Sequence, residues 1–265
     1  MPTEHIYKKA VITGASDGIG EAIAHELSDQ THLLLIGRNL DKLKDMRHQL
    51  NRLGRMVEIC SADLTTREGL NKSIKAIDAF VPDLFVNNAG FGIMGPFSQA
   101  DLETEKEMVA LNVLAVMELA YATIPHLKER ANQFGRASMV ITSSVAGFNP
   151  APYFATYGAT KSFELFWGQS LDVELRGEGV DVLTLCPGGT KTSFFKRARP
   201  HQGKSSDLSQ TAQEVAKEAI DALNQKKRLH VCGHRNRLWV LGGRFLPRQM
   251  VASIVEKVFK KLASE

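Results

Sequence analysis

The chain has 265 residues, 43% of them hydrophobic and 23% charged, proportions that exclude wholesale disorder, collagen-like repeats and a long coiled coil. No apolar run approaches the ~18 residues of a membrane-spanning helix, and the opening Met1-Pro2-Thr3-Glu4-His5 lacks the pattern of a signal peptide. Cys60, Cys186 and Cys232 are odd in number and far apart, which suits reduced thiols and a cytoplasmic location. The net charge of +4 hides an asymmetry: residues 226–265 hold ten Lys/Arg against two acids, so the tail is basic and the body acidic. Positive charge confined to the chain end argues against a nucleic-acid-binding domain.

Seven short apolar runs follow one another as strand candidates: Ala10–Thr13, Leu33–Ile36, Met56–Cys60, Leu84–Val86, Met139–Thr142, Val182–Cys186 and Leu229–Cys232. Apolar residues on both sides of each run fit strands covered on both faces of a parallel sheet. Helical periodicity fills the gaps at Ile19–Leu27, Leu40–Leu53, Leu70–Phe80, Met108–Leu127 and Tyr157–Arg176. Alternation of this kind predicts an α/β fold, one doubly wound parallel sheet with helices on both faces. No linker or repeat divides the chain. Residues 197–209 are polar, carry Pro200 and Gly203, and read as a surface loop.

The first strand runs into Thr13-Gly14-Ala15-Ser16-Asp17-Gly18-Ile19-Gly20. Glycines at a strand-to-helix turn allow close approach to a pyrophosphate, which the helix N-terminus then binds through free N–H groups. Gly14, Ser16, Gly18, Ile19 and Gly20 are therefore cofactor candidates. The second strand ends Ile36-Gly37-Arg38-Asn39, without the carboxylate that would hold the ribose hydroxyl of NAD. Arg38 instead suits a 2′-phosphate, so the expected cofactor is NADP. Tyr157 and Lys161 sit one helical turn apart on one face. An ammonium there is expected to lower the phenol's pKa and make Tyr157 a proton donor or acceptor near neutral pH. Ser144, thirteen residues ahead of Tyr157, could hold the same substrate oxygen. Ser143 is the alternative hydroxyl.

The ordered set Thr13-Gly14-x-x-x-Gly18-Ile19-Gly20, Asp63-Leu64, Asn87-Asn88-Ala89-Gly90, Asn112, Ser144, Tyr157-x-x-x-Lys161 and Pro187-Gly188 resembles the short-chain dehydrogenase/reductase family over about residues 8–232. The resemblance implies a single-domain Rossmann-type sheet of about seven strands, residues 1–233, with 234–265 as a C-terminal helical extension. It implies an NADP-dependent oxidoreductase interconverting a carbonyl and an alcohol, usually a homodimer or homotetramer. It assigns Tyr157 as general acid, Lys161 to the nicotinamide ribose and to tuning Tyr157, Ser144 to the carbonyl, and Asn112 to a water beside Lys161. Asp63 and Leu64 would flank the adenine, Asn88, Ala89 and Gly90 the cofactor groove, and Pro187, Gly188, Thr190 and Thr192 the nicotinamide. No metal is expected, because Tyr157 and Ser144 would polarise the oxygen. The competing class is a dinucleotide-binding scaffold without turnover, for which the set Asn112, Ser144, Tyr157 and Lys161 would be needless.

Three features lie outside that set. His230-Val231-Cys232-Gly233-His234 offers metal-type donors but no fourth ligand at recognisable spacing. Phe91, Ile93, Met94, Phe97, Phe148, Tyr153 and Phe154 fall in loops after strands, either as core or as the wall of an apolar substrate pocket. The tail mixes arginines with Leu238, Trp239, Leu241, Phe245 and Leu246, then spaces Met250, Ile254, Val258 and Leu262 on one helical face. It would either pack over the substrate loop or a sister subunit, or make a peripheral contact with an anionic membrane surface.

Overall fold

The computed structural model describes residues 6–51, 54–194 and 210–264, without the side chains of residues 258 and 261–264. The expected loop at 197–209, and Val258 and Leu262 of the tail stripe, lie outside the described residues or side chains. The described residues form nine strands: β1 (Lys9–Thr13), β2 (His32–Gly37), β3 (Val57–Ser61), β4 (Leu84–Asn87), β5 (Ala137–Thr142), β6 (Val180–Cys186), β7 (Thr190–Lys191), β8 (Gln210–Thr211) and β9 (Leu229–Val231). Seven form one parallel sheet in the order β3-β2-β1-β4-β5-β6-β9. The remaining two, β7 and β8, form a short parallel pair that no apolar run announced.

Every residue of β4 and β5 is buried, the signature of strands covered on both faces. Alternation then divides the core. Ile12, Leu33 and Leu35 join one cluster and Val11, Leu34 and Ile36 the other, as the two-residue repeat of a strand requires. Helices α1 (Gly18–Glu26), α2 (Leu40–Asn51) and α7 (Ala212–Asn224) cover the first face through Ile23, Leu43, Val215 and Ala219. Helices α3 (Arg67–Phe80), α5 (Val116–Phe134) and α6 (Ala155–Leu175) cover the second through Ile77, Leu119, Leu127 and Leu171. Each fully buried Ile, Leu or Val among them contributes roughly 1.5–3 kcal/mol.

Between β4 and α5 lie α4 (Leu102–Val109) and a π-helical turn (Ala110–Ala115). The expected helix Met108–Leu127 is thus part of a longer one. The stretch Leu102–Phe134 contains an 18-residue window with a mean hydropathy of 1.6, long and apolar enough, by length and composition alone, to cross a membrane. That corrects the expectation that no stretch comes near such a length. Its inward residues Met108, Leu119 and Leu127 are fully buried against the rest of the protein. The tail forms α8 (His234–Gly243) and α9 (Arg248–Ser264).

The chain leaves β1 toward β2 and β3, then returns to place β4 on the other side of β1. That reversal opens a crevice at the carboxyl ends of the strands, where this topology binds ligands.

Candidate active site

A cavity of about 750 Å³ occupies the crevice, and every sequence-predicted cofactor and catalytic residue lines it except Gly20 and Asn112. Those two support the wall from behind. Gly20 packs beneath the turn, where a Cβ would lie 2.5 Å from the Gly14 carbonyl.

At the first βα turn, Gly14 and Gly18 have φ of +65° and +63°, a region that L side chains rarely adopt. A Cβ on Gly14 would also meet the Ala89 backbone at 2.9 Å. The Thr13 hydroxyl accepts from the Asn88 and Ala89 N–H groups at 2.9 and 3.0 Å, and Asn88 Nδ2 donates to the Thr13 carbonyl at 3.0 Å. The ends of β1 and β4 are thereby tied together. Asp17 precedes α1 without its side chain capping the helix. Its carboxylate turns instead to Ser193 and to Lys42, 3.8 Å away. The first-turn N–H groups therefore keep the anion-binding geometry of a helix N-terminus.

Arg38 lines the same end of the cavity, with its guanidinium 4.0 Å from Asp63. Burial pushes the Asp63 carboxyl up, but the Thr65 N–H and hydroxyl and Arg38 outweigh it and hold the group below its ordinary value. Lys42, in the first turn of α2, also lines the cavity. The sequence reading rested the cofactor preference on Arg38 alone and missed Lys42. Its signal was available, since Asn39 accepts from the Lys42 N–H at 3.0 Å and so begins α2 where Lys42 faces the groove.

At the other end, Ser144 and Tyr157 line the cavity together, and the Ser144 hydroxyl accepts from the Ala146 N–H at 3.1 Å and donates to the Pro187 carbonyl at 3.4 Å. The Ser143 hydroxyl, in the same cavity lining, donates to the Lys161 carbonyl at 2.7 Å and so clamps α6. Lys161 Nζ lies 5.7 Å from the centre of the Tyr157 ring. The expected lowering of the phenol's pKa is not what results. Burial pushes Tyr157 up, and Lys161 and Ser144 pull it down without overcoming that. A smaller contribution in the same direction as burial comes from one turn further on. Glu164, unremarked in the sequence, accepts from Lys161 Nζ through both oxygens at 2.8 and 3.0 Å and opposes its charge. Burial pushes Lys161 down, yet Glu164 and Tyr157 raise it above its ordinary value, so it stays charged.

Asn112 sits fully buried in the π-helical turn, a feature frequent at functional sites. Its Nδ2 donates to the Phe91 carbonyl at 2.9 Å and the Thr160 hydroxyl at 3.0 Å, and its Oδ1 accepts from the Phe91 N–H at 3.1 Å. The amide thus ties the loop after β4 to α6.

Phe154 stacks on Tyr157 with ring centres 4.2 Å apart, and Phe194 lies 5.5 Å from it. Phe91, Ile93 and Met94 pack on the same cluster. Phe97 does not, being 61% exposed, and Phe148 and Tyr153 are half-buried outside the cluster. Phe259 of α9 joins it edge-on to Phe154 at 5.8 Å and lines the cavity. The sequence reading did not single out Phe259, because only tertiary return of the tail brings it there.

Glu218, His230 and Cys232 hold their donor atoms within 4.8 Å of one another. Glu218 already accepts from His230, Gln210, Gly233 and Arg237. Burial pushes the Cys232 thiol far up. A carboxylate committed to four donors beside a protonated thiol describes a joint between α7, β9 and α8.

The short chain dehydrogenase pattern matches residues 8–203. The chain belongs to the short-chain dehydrogenase family. An uncharacterised oxidoreductase of Staphylococcus epidermidis is 34% identical over 227 residues, 84% of this chain and 94% of that protein. A short-chain dehydrogenase from Sphingobium yanoikuyae, solved in complex with NADPH, is 30% identical with a TM-score of 0.79 over 92% of this chain and 95% of its own. A bulky-bulky ketone specific alcohol dehydrogenase from Comamonas testosteroni is 26% identical with a TM-score of 0.74, covering 91% and 99%. This short-chain dehydrogenase is therefore an oxidoreductase acting between CH–OH and carbonyl groups, on a Rossmann-like sheet with helices after the last strand.

Proposed function

We propose that the chain is an NADPH-dependent reductase of apolar ketones, aldehydes or acyl-chain carbonyls. The observation that carries this is Tyr157, sharing the cavity wall with Ser144, one turn from Lys161 and walled by Phe154, Phe194 and Phe259. The glycine turn, tight enough to exclude a Cβ, and the uncapped start of α1 fit a dinucleotide pyrophosphate. Arg38 and Lys42 fit a 2′-phosphate, and the NADPH-bound Sphingobium relative supports the same choice.

When bound, the nicotinamide supplies the hydride. Tyr157 donates its phenol proton to the carbonyl oxygen, and Ser144 orients that oxygen by a hydrogen bond. Lys161 stabilises the phenolate that remains. The aromatic wall excludes water and favours a bulky apolar group next to the carbonyl, as the name of the Comamonas relative says of that enzyme. Asn112 keeps the loop carrying Phe91 in register with α6.

Family members commonly form oligomers. We place a homodimer contact on α5 and α6, where Tyr121, Phe166 and Val173 are 81%, 66% and 69% exposed. We assign the tail a peripheral membrane contact, because α8, the turn after it and the start of α9 expose Leu238, Trp239, Phe245 and Met250 among Arg235, Arg244 and Arg248. A cytoplasmic setting fits both.

Following NADPH oxidation over aryl ketones, aliphatic aldehydes and β-ketoacyl thioesters tests the main reading. Turnover of a bulky ketone is expected; absence of turnover across all three classes, with NADPH bound, would leave a scaffold.

A further inference from the structure

We infer that Glu164 is a positioning residue that opposes the charge of Lys161, keeps the proton on Tyr157, and so biases the site toward reduction. The inference rests on the proposed carbonyl chemistry and names the residue that sets its direction.

Glu164 is 1% exposed. Lys161 Nζ gives it two hydrogen bonds, at 2.8 and 3.0 Å, and gives a third to the Thr142 carbonyl at 2.8 Å. All three ammonium donors therefore have protein partners in the folded chain. The helix that carries them is fixed in place. Ser143 holds the Lys161 carbonyl, and a Cβ on Gly147 would lie 2.6 Å from that same oxygen. The titratable and charged groups around Glu164 are Lys161 and Tyr157 on α6 and the Cys186 thiol on β6.

An isolated ammonium beside a phenol stabilises the phenolate. A carboxylate bonded to the ammonium cancels much of that field at short range, where the local dielectric is low. The phenol then holds its proton to higher pH. A site that must donate a proton to a carbonyl is favoured, and one that must remove a proton from an alcohol is disfavoured. Burial also raises Glu164 itself to about 7, so the opposing charge grows as pH rises through neutrality.

The test is the titration of Tyr157, read as phenolate absorbance and corrected by subtracting Tyr157→Phe. No substrate is needed. Glu164→Gln is expected to lower the Tyr157 midpoint by about one pH unit, ~tenfold in proton affinity. Glu164→Asp, which keeps the charge, is expected to restore most of it. An unchanged or higher midpoint in Glu164→Gln overturns the inference. A second measurement, the ¹³C signal of tyrosine labelled at Cζ, should show the same shift of the Tyr157 midpoint in Glu164→Gln; no shift overturns the inference as well. The alkaline limb of NADPH-dependent ketone reduction should move down with the titration. If Tyr157→Phe stays active, the proposed chemistry fails. If Tyr157→Phe is inactive and the Gln variant leaves the midpoint unmoved, only the role of Glu164 fails.

Discussion

A Cβ on Gly188 would lie 2.3 Å from Nδ2 of Asn236, so the first turn of α8 rests directly on the turn that follows β6. Asn236 is held there by donating to the Cys232 carbonyl at 2.7 Å. We predict that Gly188→Ala destabilises the fold by about 1–3 kcal/mol, as overpacking does. It should weaken NADPH binding too, since Gly188 lines the cavity. Adding Asn236→Gly should recover most of the loss. Urea midpoints of the four proteins check this, and equal losses in single and double variants would contradict it.

Tyr157→Phe is expected to lower turnover by roughly 10²–10⁴-fold, the usual worth of a general acid, with NADPH affinity nearly intact. Lys161→Ala should damage both, because it also strands Glu164 as a buried carboxylate. Single-turnover rates and fluorescence titration of NADPH separate the two effects.

Cofactor choice should respond to both cations. Losing one charge-assisted bond costs roughly 1.5–3 kcal/mol. Arg38→Ala and Lys42→Ala are thus each expected to weaken NADPH about tenfold to a hundredfold, toward the lower end because both side chains are half exposed. NADH binding should barely change. Equal kcat/KM for NADH and NADPH in the unmodified protein would rule this out.

Glu218 gives a pH dependence. Burial pushes it up, but the bonds from His230, Gln210, Gly233 and Arg237 hold it below its ordinary 4.5. A depressed carboxyl contributes stability that is present above its unfolded pKa and lost as pH falls through the folded one. Burial also lowers His230 from 6.5; the unfolded chain then binds the extra proton first, so acid acts in the same direction. Glu218→Ala is expected to cost about 2–3 kcal/mol at neutral pH, and this difference should shrink below pH 4.5. Melting temperatures from pH 7 to 3 decide the matter.

The tail should bind vesicles containing anionic lipid at low salt, with a blue shift of Trp239 emission, and ignore neutral ones. Leu238→Glu with Phe245→Glu is expected to abolish flotation while sparing NADPH binding. Failure of the unmodified protein to float would end the membrane reading. Truncation after Gly233 is a poorer test, because it also removes Phe259 from the cavity.

The sheet was legible because its inner strands are buried on both faces and so appear as bare apolar runs; all seven were placed, with Met56 and Cys232 just outside the edge strands β3 and β9. Helix α7 was not placed, although its buried face, Ala212, Val215, Ala216, Ala219, Ala222 and Leu223, repeats at helical spacing. Its capping box, Thr211 with Glu214, was the available signal. The glycine turn, Ser144, Tyr157 and Lys161 were legible as local spacing. Glu164 was also local, one turn beyond Lys161, but its meaning depends on burial that no spacing reveals. Phe259 and the contact of Asn236 with Gly188 arise from chain segments far apart, and nothing local marks them.

Burial of all three cysteines has a practical use. Reactive thiols need an exposed thiolate, and burial raises Cys60, Cys186 and Cys232 alike. The native chain should therefore be nearly silent to maleimides. A cysteine introduced at Phe245, 81% exposed, would stand alone as the fast-reacting label, without any native thiol being removed. A dye or spin probe attached there would report how deep that point of the tail sits in a bilayer, and whether it moves when nucleotide fills the crevice.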